Sequence, residues 1–268
     1  MKRQLVLAGL FLSLGALVCA QDVAGDRVVV PARNSSRPRV VKANVSNGSI
    51  TVKTHTGQEV IVESGSQRGR ESEQRTFDGL RRLNLPPRGL EVTEEDNVIT
   101  VRLNGEARNT GITVTVPVNT SLQLLSQNGA INVEGVHGEL DLTSHNGSIT
   151  ANSVSGTVVA DTHNGPLRVS MDQVDANKPI AFTSYNGSID VTLPSSFKAN
   201  VKLRASQGEV YTDFDVKLMP GESITEPNNS PDGRFRVRTS QVINGTINGG
   251  GTDATFTTYN GKILIRKK

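Results

Sequence analysis

Two histidines come closest to a catalytic or metal-binding pattern. His145 and His163 are 18 residues apart, and each directly precedes an Asn-Gly pair. If successive 18-residue units stack as neighbouring strands, the two imidazoles lie roughly 5 Å apart. Together with Asp141 or Asp161 they could then hold a metal ion. The equivalent positions of other units hold Gln, Tyr and Ser, so the pattern favours an exposed surface column over a metal site.

Residues for other catalytic chemistries are missing. Cys19 is the only cysteine and belongs to an N-terminal segment that we expect to be removed, so the mature chain has no thiolate nucleophile, disulfide or cysteine metal site. The sequence shows no pair of carboxylates of the glycosidase type, no Ser-His-Asp set and no phosphate loop. We therefore expect no catalytic residue, no bound metal and no cofactor.

The Asn-Gly pairs are the dominant pattern of the chain. They begin at Asn47, Asn128, Asn146, Asn164, Asn186, Asn244 and Asn260. Gln207-Gly208 belongs to the same series, and the step of 37 residues from there to Asn244 fits two units. The third residue after each Asn is apolar and alternation follows, which indicates strands with one buried face. Glycines nine residues apart between Gly129 and Gly165 give each unit two strands and two corners.

Units of about 18–22 residues in register predict an all-β fold, a single-stranded parallel β-helix (β-solenoid) in which each coil buries its apolar face against its neighbours. The Asn side chains would form a hydrogen-bonded ladder along the corners, and Gly would supply the positive φ of a tight turn. Asn-Gly is also the best hairpin turn. An antiparallel β-sandwich or meander is therefore the alternative. Helices should be nearly absent.

The first 20 residues have the pattern of a secretory signal peptide. Lys2 and Arg3 precede an apolar run from Leu5 to Val18, and we place the cleavage after Ala20. The run is shorter than the roughly 20 residues that span a bilayer, and lipid attachment at Cys19 is a further alternative. Cleavage removes Lys2 and Arg3, which contribute two positive charges to the formal net charge of +3. The basic pI of about 9.1 therefore does not indicate nucleic-acid binding.

Residues 21–268 are expected to form one solenoid domain with polar loop insertions at 64–89 and 219–234. A short helix is predicted near Phe77–Leu83, and two strands are predicted around a turn at Asp96-Asn97. Because open ends of a stack recruit other chains, we expect irregular segments to cap the first and last coils, with the basic C-terminus covering the last one.

The first of these loops is rich in arginine. Its six arginines are Arg68, Arg70, Arg75, Arg81, Arg82 and Arg88. Such a charge cluster is usually solvated surface, and its functional interpretation is a patch that binds an anionic glycan or surface polymer. Tyr185 and Tyr259, both next to Asn-Gly corners, could stack on sugars.

The repeated pattern T/S-x-N-G-x-I-x-V, with the half-repeat V-x-G-x-L/V-x-L/A, resembles the exported bacterial domains called "putative adhesins", a family of unknown function. The resemblance covers residues 40–268 and is clearest at 120–212. It implies a β-helix-like fold and a cell-envelope or secreted setting. It implies no catalytic residues.

The expected function is that of a non-catalytic exported protein, an adhesin or binding scaffold in the periplasm or on the cell surface. Its expected partner is a glycan or a cell-envelope protein, with no nucleic acid and no membrane-spanning segment. The alternatives are a polysaccharide-active β-helix enzyme and an envelope assembly or stress factor with a protein partner. The ligand, the oligomeric state and the handedness of the solenoid stay open.

Overall fold

The computed structural model describes residues 26–34, 37–66, 76–77, 80–81, 90–103, 110–219, 223–229 and 235–268, and these residues form an all-β fold without a helix. The strands before residue 130 are β1 (Asp26–Val30), β2 (Arg39–Asn47), β3 (Ile50–His55), β4 (Val60–Ser66), β5 (Thr76–Phe77), β6 (Leu80–Arg81), β7 (Leu90–Glu95), β8 (Val98–Leu103), β9 (Thr110–Pro117) and β10 (Thr120–Asn128).

The later strands are β11 (Ile131–Glu134), β12 (His137–Asn146), β13 (Ile149–Asn164), β14 (Leu167–Val174), β15 (Ile180–Asn186), β16 (Ile189–Leu193), β17 (Ala199–Gln207), β18 (Val210–Thr212), β19 (Val216–Leu218), β20 (Ser223–Asn229), β21 (Phe235–Ile247), β22 (Thr252–Asn260) and β23 (Ile263–Lys267).

Most strands pair in parallel and form two columns that meet at the Asn-Gly corners. The leading column contains the strands that run up to a corner, together with β8, and its spatial order is β8, β2, β10, β12, the second half of β13, β15, β22 and β17. The trailing column contains the strands after a corner, together with β9, and its order is β9, β3, β11, the first half of β13, β14, β16, β23 and β18. One strand of each column makes a coil, so the fold is a solenoid-like stack.

The coils do not stack in chain order. We call the position of one coil in the stack a level. Residues 120–193 form four coils that occupy four successive levels in chain order, as a simple repeat predicts. The coil β22–β23, however, lies between β15–β16 and β17–β18, although it comes last in the sequence. At the other end, β2–β3 lies between β8–β9 and β10–β11. The fold therefore differs from a single-stranded β-helix in the order of its coils.

Antiparallel strands pair with three of the strands that end the two columns, β8, β9 and β17. β7 forms a hairpin with β8 around Asp96-Asn97, whose φ angles of 51° and 64° fit a type I′ turn, as the sequence predicted. β4 adds to β9 and β1 adds to β4. At the opposite end β21 pairs with β17, β19 and β20. Because these strands are themselves paired, they reduce the open edge at each end.

The core lies between the two columns and is filled by alternate residues of their strands. Leu122 and Leu124 of β10 face Ile131 and Val133 of β11, all within one buried apolar cluster that extends from Val41 to Ile265. Larger rings enter in the levels beyond residue 180, where Phe182 of β15 stacks on Phe256 of β22 with 5.3 Å between ring centroids. Mostly small aliphatic side chains are therefore enough to fill the core, because each coil is only two strands thick.

Three expectations about the irregular segments are corrected by the structure. Within the predicted helix, Phe77 pairs antiparallel with Leu80 as part of two short strands. Ser223–Asn229, inside the expected loop 219–234, is a strand. Its main-chain N–H and C=O groups pair with β21, and this pairing does not depend on the polarity of the sequence. The basic C-terminus does not cap the stack, since β23 pairs on both sides, with β16 and β18.

Asn244 is also not a corner. It lies within β21, opposite Lys202 of the antiparallel strand β17, and β19, β20 and β21 form end strands where two further coils were expected. Asn-Gly fits this position without a turn, and the actual turn follows at Asn248, Gly249 and Gly250, all with positive φ.

Candidate functional site

Six of the predicted corner asparagines form one continuous ladder. Each amide Nδ2 donates to the Oδ1 of the preceding level over 2.7–3.0 Å, in the order Asn260, Asn186, Asn164, Asn146, Asn128 and Asn47. At the last level Gln207 is in register with Asn260, but its Nε2 donates to the hydroxyl of Tyr259 over 3.5 Å. The ladder thus connects six levels along an exposed edge.

A column of glycines lies directly after this ladder. A Cβ added at Gly129, Gly147, Gly165, Gly187, Gly261 or Gly208 would lie 1.8–2.3 Å from the carbonyl oxygen of the glycine one level away. In this column only Gly48 and Gly261 have positive φ, at 151° and 155°. Close approach of stacked backbones, more than the positive φ expected from the sequence, is therefore what requires glycine here.

Buried hydroxyls explain the Thr or Ser of the repeated motif. The residue two before each corner Asn points inward and donates to the carbonyl oxygen of the Gly one level away over 2.9–3.3 Å. These donors are Ser126, Ser144, Thr162, Ser184 and Thr258, each no more than 1% exposed. Each corner is thus held by one hydrogen bond inside the core and one outside it.

Next to the Asn ladder, four aromatic rings form a stack on the outer surface of the leading column. Ring centroids are 4.9 Å apart between His145 and His163, 4.8 Å between His163 and Tyr185, and 4.9 Å between Tyr185 and Tyr259. Successive ring planes differ by only 4–8°. The four rings are therefore nearly parallel along four successive strands.

The ring stack bears on two sequence-based hypotheses, a sugar stacked on Tyr185 and a metal ion between the two histidines. Both faces of Tyr185 are covered by His163 and Tyr259, so this ring offers a sugar only its edge and hydroxyl. The lone pairs of the two parallel imidazoles lie in separate ring planes and do not converge on a tetrahedral ion. Within the described ranges, no group of three or more His, Cys, Asp or Glu is placed to hold a metal ion.

An unusual carboxylate lies on the same surface. Asp161 is opposite Thr143 and Thr183 of the adjacent strands and two residues before His163. Desolvation by partial burial raises the pKa of the Asp161 carboxyl above its ordinary value, and the charge of His163 acts in the opposite direction. Perturbed carboxylates are frequent at functional sites but also occur in structural ones.

This outer surface of the leading column, which we call the ladder face, also exposes apolar side chains. Leu125, Val159 and Tyr185 are 39%, 41% and 45% exposed. Leu125 lies in one row in register with Thr143, Asp161 and Thr183 of the next three strands, whereas Val159 and Tyr185 lie two residues before and two residues after this row. The three apolar side chains are therefore separated by polar positions, and they add apolar area at three places on this surface.

Other predicted residues lie elsewhere. The Nε2 of His55 is 2.8 Å from the carbonyl oxygen of Glu59, and its Nδ1 accepts from the Gly57 amide at 3.3 Å, so this histidine fixes a turn. Arg68, Arg70, Arg75, Arg82 and Arg88 lie outside the described residues. Of the arginine patch, only the backbone of Arg81 is described, paired with Thr76.

Fold and corners together define an all-β, mostly parallel, solenoid-like protein with a stacked Asn-Gly edge. A model of the Toastrack family, DUF4097, a domain of unknown function, matches residues 40–248, and the chain belongs to this family. The resemblance noted in the sequence is thereby confirmed.

Two solved structures align with the chain. A "putative cell adhesion protein" from Clostridium sporogenes is 11% identical with a TM-score of 0.41, and the alignment covers 91% of this chain and 100% of that one. A "putative adhesin" from Bacteroides fragilis is 11% identical with a TM-score of 0.29, and 91% of this chain and 97% of that one are covered. No curated protein matches the chain.

A helix long and apolar enough to cross a membrane does not occur in the part of the chain that the structure describes.

Proposed function

We propose that this protein is a non-catalytic, exported scaffold of the bacterial cell envelope that binds a partner through its ladder face. In this proposal the leader is removed after Ala20 and residues 21–268 act as one domain, whose central coils at 120–193 wind as a single-stranded β-helix. The observation that carries the proposal is the co-location of the ring stack, the Asn ladder and three exposed apolar side chains on one surface.

The ladder face suits binding because it is ordered before a partner arrives. Its rings and amides are fixed by contacts with the levels above and below, so little side-chain entropy is lost on binding. Ring edges and Asn amides present hydrogen-bonding groups at each level, and Leu125 and Val159 add apolar area. A surface of this kind favours an extended partner that contacts several levels at once.

The placement of the carboxylates favours binding over glycan cleavage. Asp141 and Asp161 lie on strands of the ladder face, outside the two clefts described between the coils. The larger of these clefts has no carboxylate among its lining residues, and the smaller has only Asp172. A glycosidase needs two carboxyl groups about 5–10 Å apart around one substrate bond.

Charge insertion on the ladder face tests the proposal. Residues 21–268 would be screened against envelope fractions and a glycan array, beside the double variant Thr143→Lys with Thr183→Lys. The matched control is Thr150→Lys with Thr192→Lys, on the outer surface of the trailing column. We expect at least about tenfold weaker binding for the first pair only, because two desolvated charges oppose contact. Equal binding by both double variants would contradict the proposal, and release of reducing sugar would favour the enzyme.

The arginine-rich segment is a second proposed contact. We propose that Arg68, Arg70, Arg75, Arg81, Arg82 and Arg88 attract an anionic polymer to the protein, since six cations within 21 residues create a strong local field. A variant with residues 67–89 shortened should lose salt-dependent binding to an anionic polymer and keep its thermal stability. Unchanged salt dependence would show that the segment is ordinary solvated surface.

A further inference from the structure

A cleft of about 580 Å³ opens at the corner opposite the Asn ladder, where trailing strands end and leading strands begin. In regular coils this second corner is filled by buried residues such as Val136 and Val154. After β3 the chain instead turns away into β4, which is antiparallel to β9. The cleft is therefore a consequence of the break in coil order at this end of the stack.

Basic and neutral polar groups dominate the lining. Arg37, Arg39 and His137 are joined there by the amide side chains of Gln58 and Asn119, and no Asp or Glu is among the lining residues. Arg37, Gln58, Asn119 and His137 are exposed, so their polar ends are accessible from solvent. A cleft of this volume lies in the range of small-molecule sites, roughly 300–1,000 Å³.

Arg39 is the central residue of the cleft, because it is a buried cation to which the described residues offer no counter-charge. The residue is 7% exposed, and its Nη1 donates to the main-chain oxygen of Gln58. Arg33 pairs with Glu94 at 2.7 Å, whereas the described residues form no such pair with Arg37 or Arg39. A desolvated guanidinium that has one acceptor among the described residues is unfavourable. An oxyanion in the cleft would supply the missing charge and acceptors.

The surrounding loops are held in place before any ligand binds. His55 fixes the turn that carries Gln58, through its contacts with Gly57 and Glu59. Asn97 Nδ2 donates to the main-chain oxygens of Asn34 at 2.7 Å and Arg37 at 3.3 Å, which holds these two residues in place before β2. The Arg39 side chain therefore faces a preformed site, and binding does not require the loops to become ordered.

We propose that this cleft binds an acidic sugar unit. A carboxylate or phosphate group accepts hydrogen bonds from the guanidinium groups of Arg39 and Arg37, and the amides of Gln58 and Asn119 bind neighbouring hydroxyls. The charged groups give affinity for the anion, and the amides distinguish a sugar from a bare anion. The cleft is separate from the ladder face, so the inference stands whether or not that face binds a partner.

Isothermal titration calorimetry with four probes tests the inference: glucuronate, glucose 6-phosphate, glucose and inorganic phosphate. We expect at least one of the two acidic sugars to bind at least about tenfold more tightly than both glucose and inorganic phosphate. Only an acidic sugar can contact both the guanidinium groups and the amide groups of the cleft. Glucose binding as tightly as the acidic sugars, or no binding by either acidic sugar, would overturn the proposal.

Single substitutions locate the binding. Arg39→Met keeps the volume of the side chain and should weaken acidic-sugar binding at least about tenfold. Arg37→Gln, at an exposed position that does not affect folding, should weaken it by about threefold or more. Lys42→Gln is the matched control, because Lys42 is an exposed cation of the same strand outside the cleft. Unchanged affinity in both arginine variants, or an equal loss in Lys42→Gln, would overturn the assignment.

Discussion

The four central coils and the coils at the two ends use the same corner but differ in connectivity. From residue 120 to residue 193 each coil stacks on the one just synthesised. At each end the order is exchanged, so that the first and last coils in the sequence, 39–55 and 252–267, occupy the second level from the end of the stack. Asn47 and Asn260 nevertheless join the same ladder as Asn146.

The comparison teaches that register and chain order are separately determined. A coil is aligned by the ladder, the glycine contact and the buried hydroxyl, all of which depend only on the neighbouring level. Any coil with these groups can therefore occupy any level. The exchange at the ends places the last residues of the chain where they contact two coils instead of one, which stabilises both ends through tertiary contacts.

Substitution in the C-terminal coil should have the largest effect. Phe256 is fully buried and stacks on Phe182, so Phe256→Ala should lower the free energy of unfolding by about 3–5 kcal/mol, measured by urea denaturation. A coil at the open end of the stack would lose much less. The control Leu218→Ala, at a position 69% exposed, should change stability by less than about 0.5 kcal/mol. Similar small effects for both variants would contradict an interior position of this coil.

A methyl group in the glycine column should have the next largest effect. In Gly165→Ala the Cβ would lie 2.3 Å from the carbonyl oxygen of Gly147, so the two levels must separate, at a cost of about 1–3 kcal/mol. Gly65 of β4 is the matched control, since no atom lies within 4 Å of its added Cβ. Thermal unfolding of both variants checks the prediction, and equal melting temperatures would exclude close stacking at the corner.

The Asn ladder should show a graded response. Asn146→Ala removes hydrogen bonds of 2.9 and 2.8 Å and should cost about 1–2 kcal/mol, whereas Asn47→Ala removes one bond of 3.0 Å at the end of the ladder and should cost about half as much. Asn244→Ala should be nearly neutral, because Asn244 is not in the ladder. Chemical denaturation of the three variants orders them, and a cost for Asn244 equal to that of Asn146 would argue for a corner there.

The smallest effect is expected at Asp161, and it depends on pH. Its pKa is raised in the folded state, so the folded protein binds this proton more tightly than the unfolded chain and loses stability as pH rises through the raised pKa. Asp161→Asn should therefore stabilise the protein at pH 7 by less than about 1 kcal/mol, with the gain vanishing near pH 3.8. Melting curves at several pH values test this, and a loss of stability at pH 7 would show that the carboxylate makes a favourable contact.

Local features of the fold follow well from the sequence, because they depend on residues close together in the chain. The alternation after each Asn-Gly predicts the buried positions, such as Ile149 and Ala151, and the pair Asp96-Asn97 predicts the hairpin of β7 and β8. The 18-residue step between His145 and His163 predicts their stacking distance, and the structure gives 4.9 Å.

The order of the coils does not follow from the sequence. Every coil presents equivalent edges, so the local pattern around Asn260 does not tell which coils it will join. The same ambiguity made Asn244 resemble a corner, although Lys202 opposes it within an antiparallel pair. The cleft at Arg39 could not be predicted for the same reason, because it exists only where the chain leaves the stack after β3.

Disulfide trapping tests the exchanged coil order most directly. The chain from Gln21 onward contains no cysteine, so pairs can be introduced cleanly. Tyr185 and Tyr259 are in register on adjacent strands, and Tyr259 separates Tyr185 from Ser206. Neighbouring strands bring Cα atoms within bridging range, whereas two strand spacings, roughly 9–10 Å, do not. The account predicts an intramolecular bond in the variant with cysteines at 185 and 259 and none with cysteines at 185 and 206. A bond in the second variant alone would show that the coils stack in chain order.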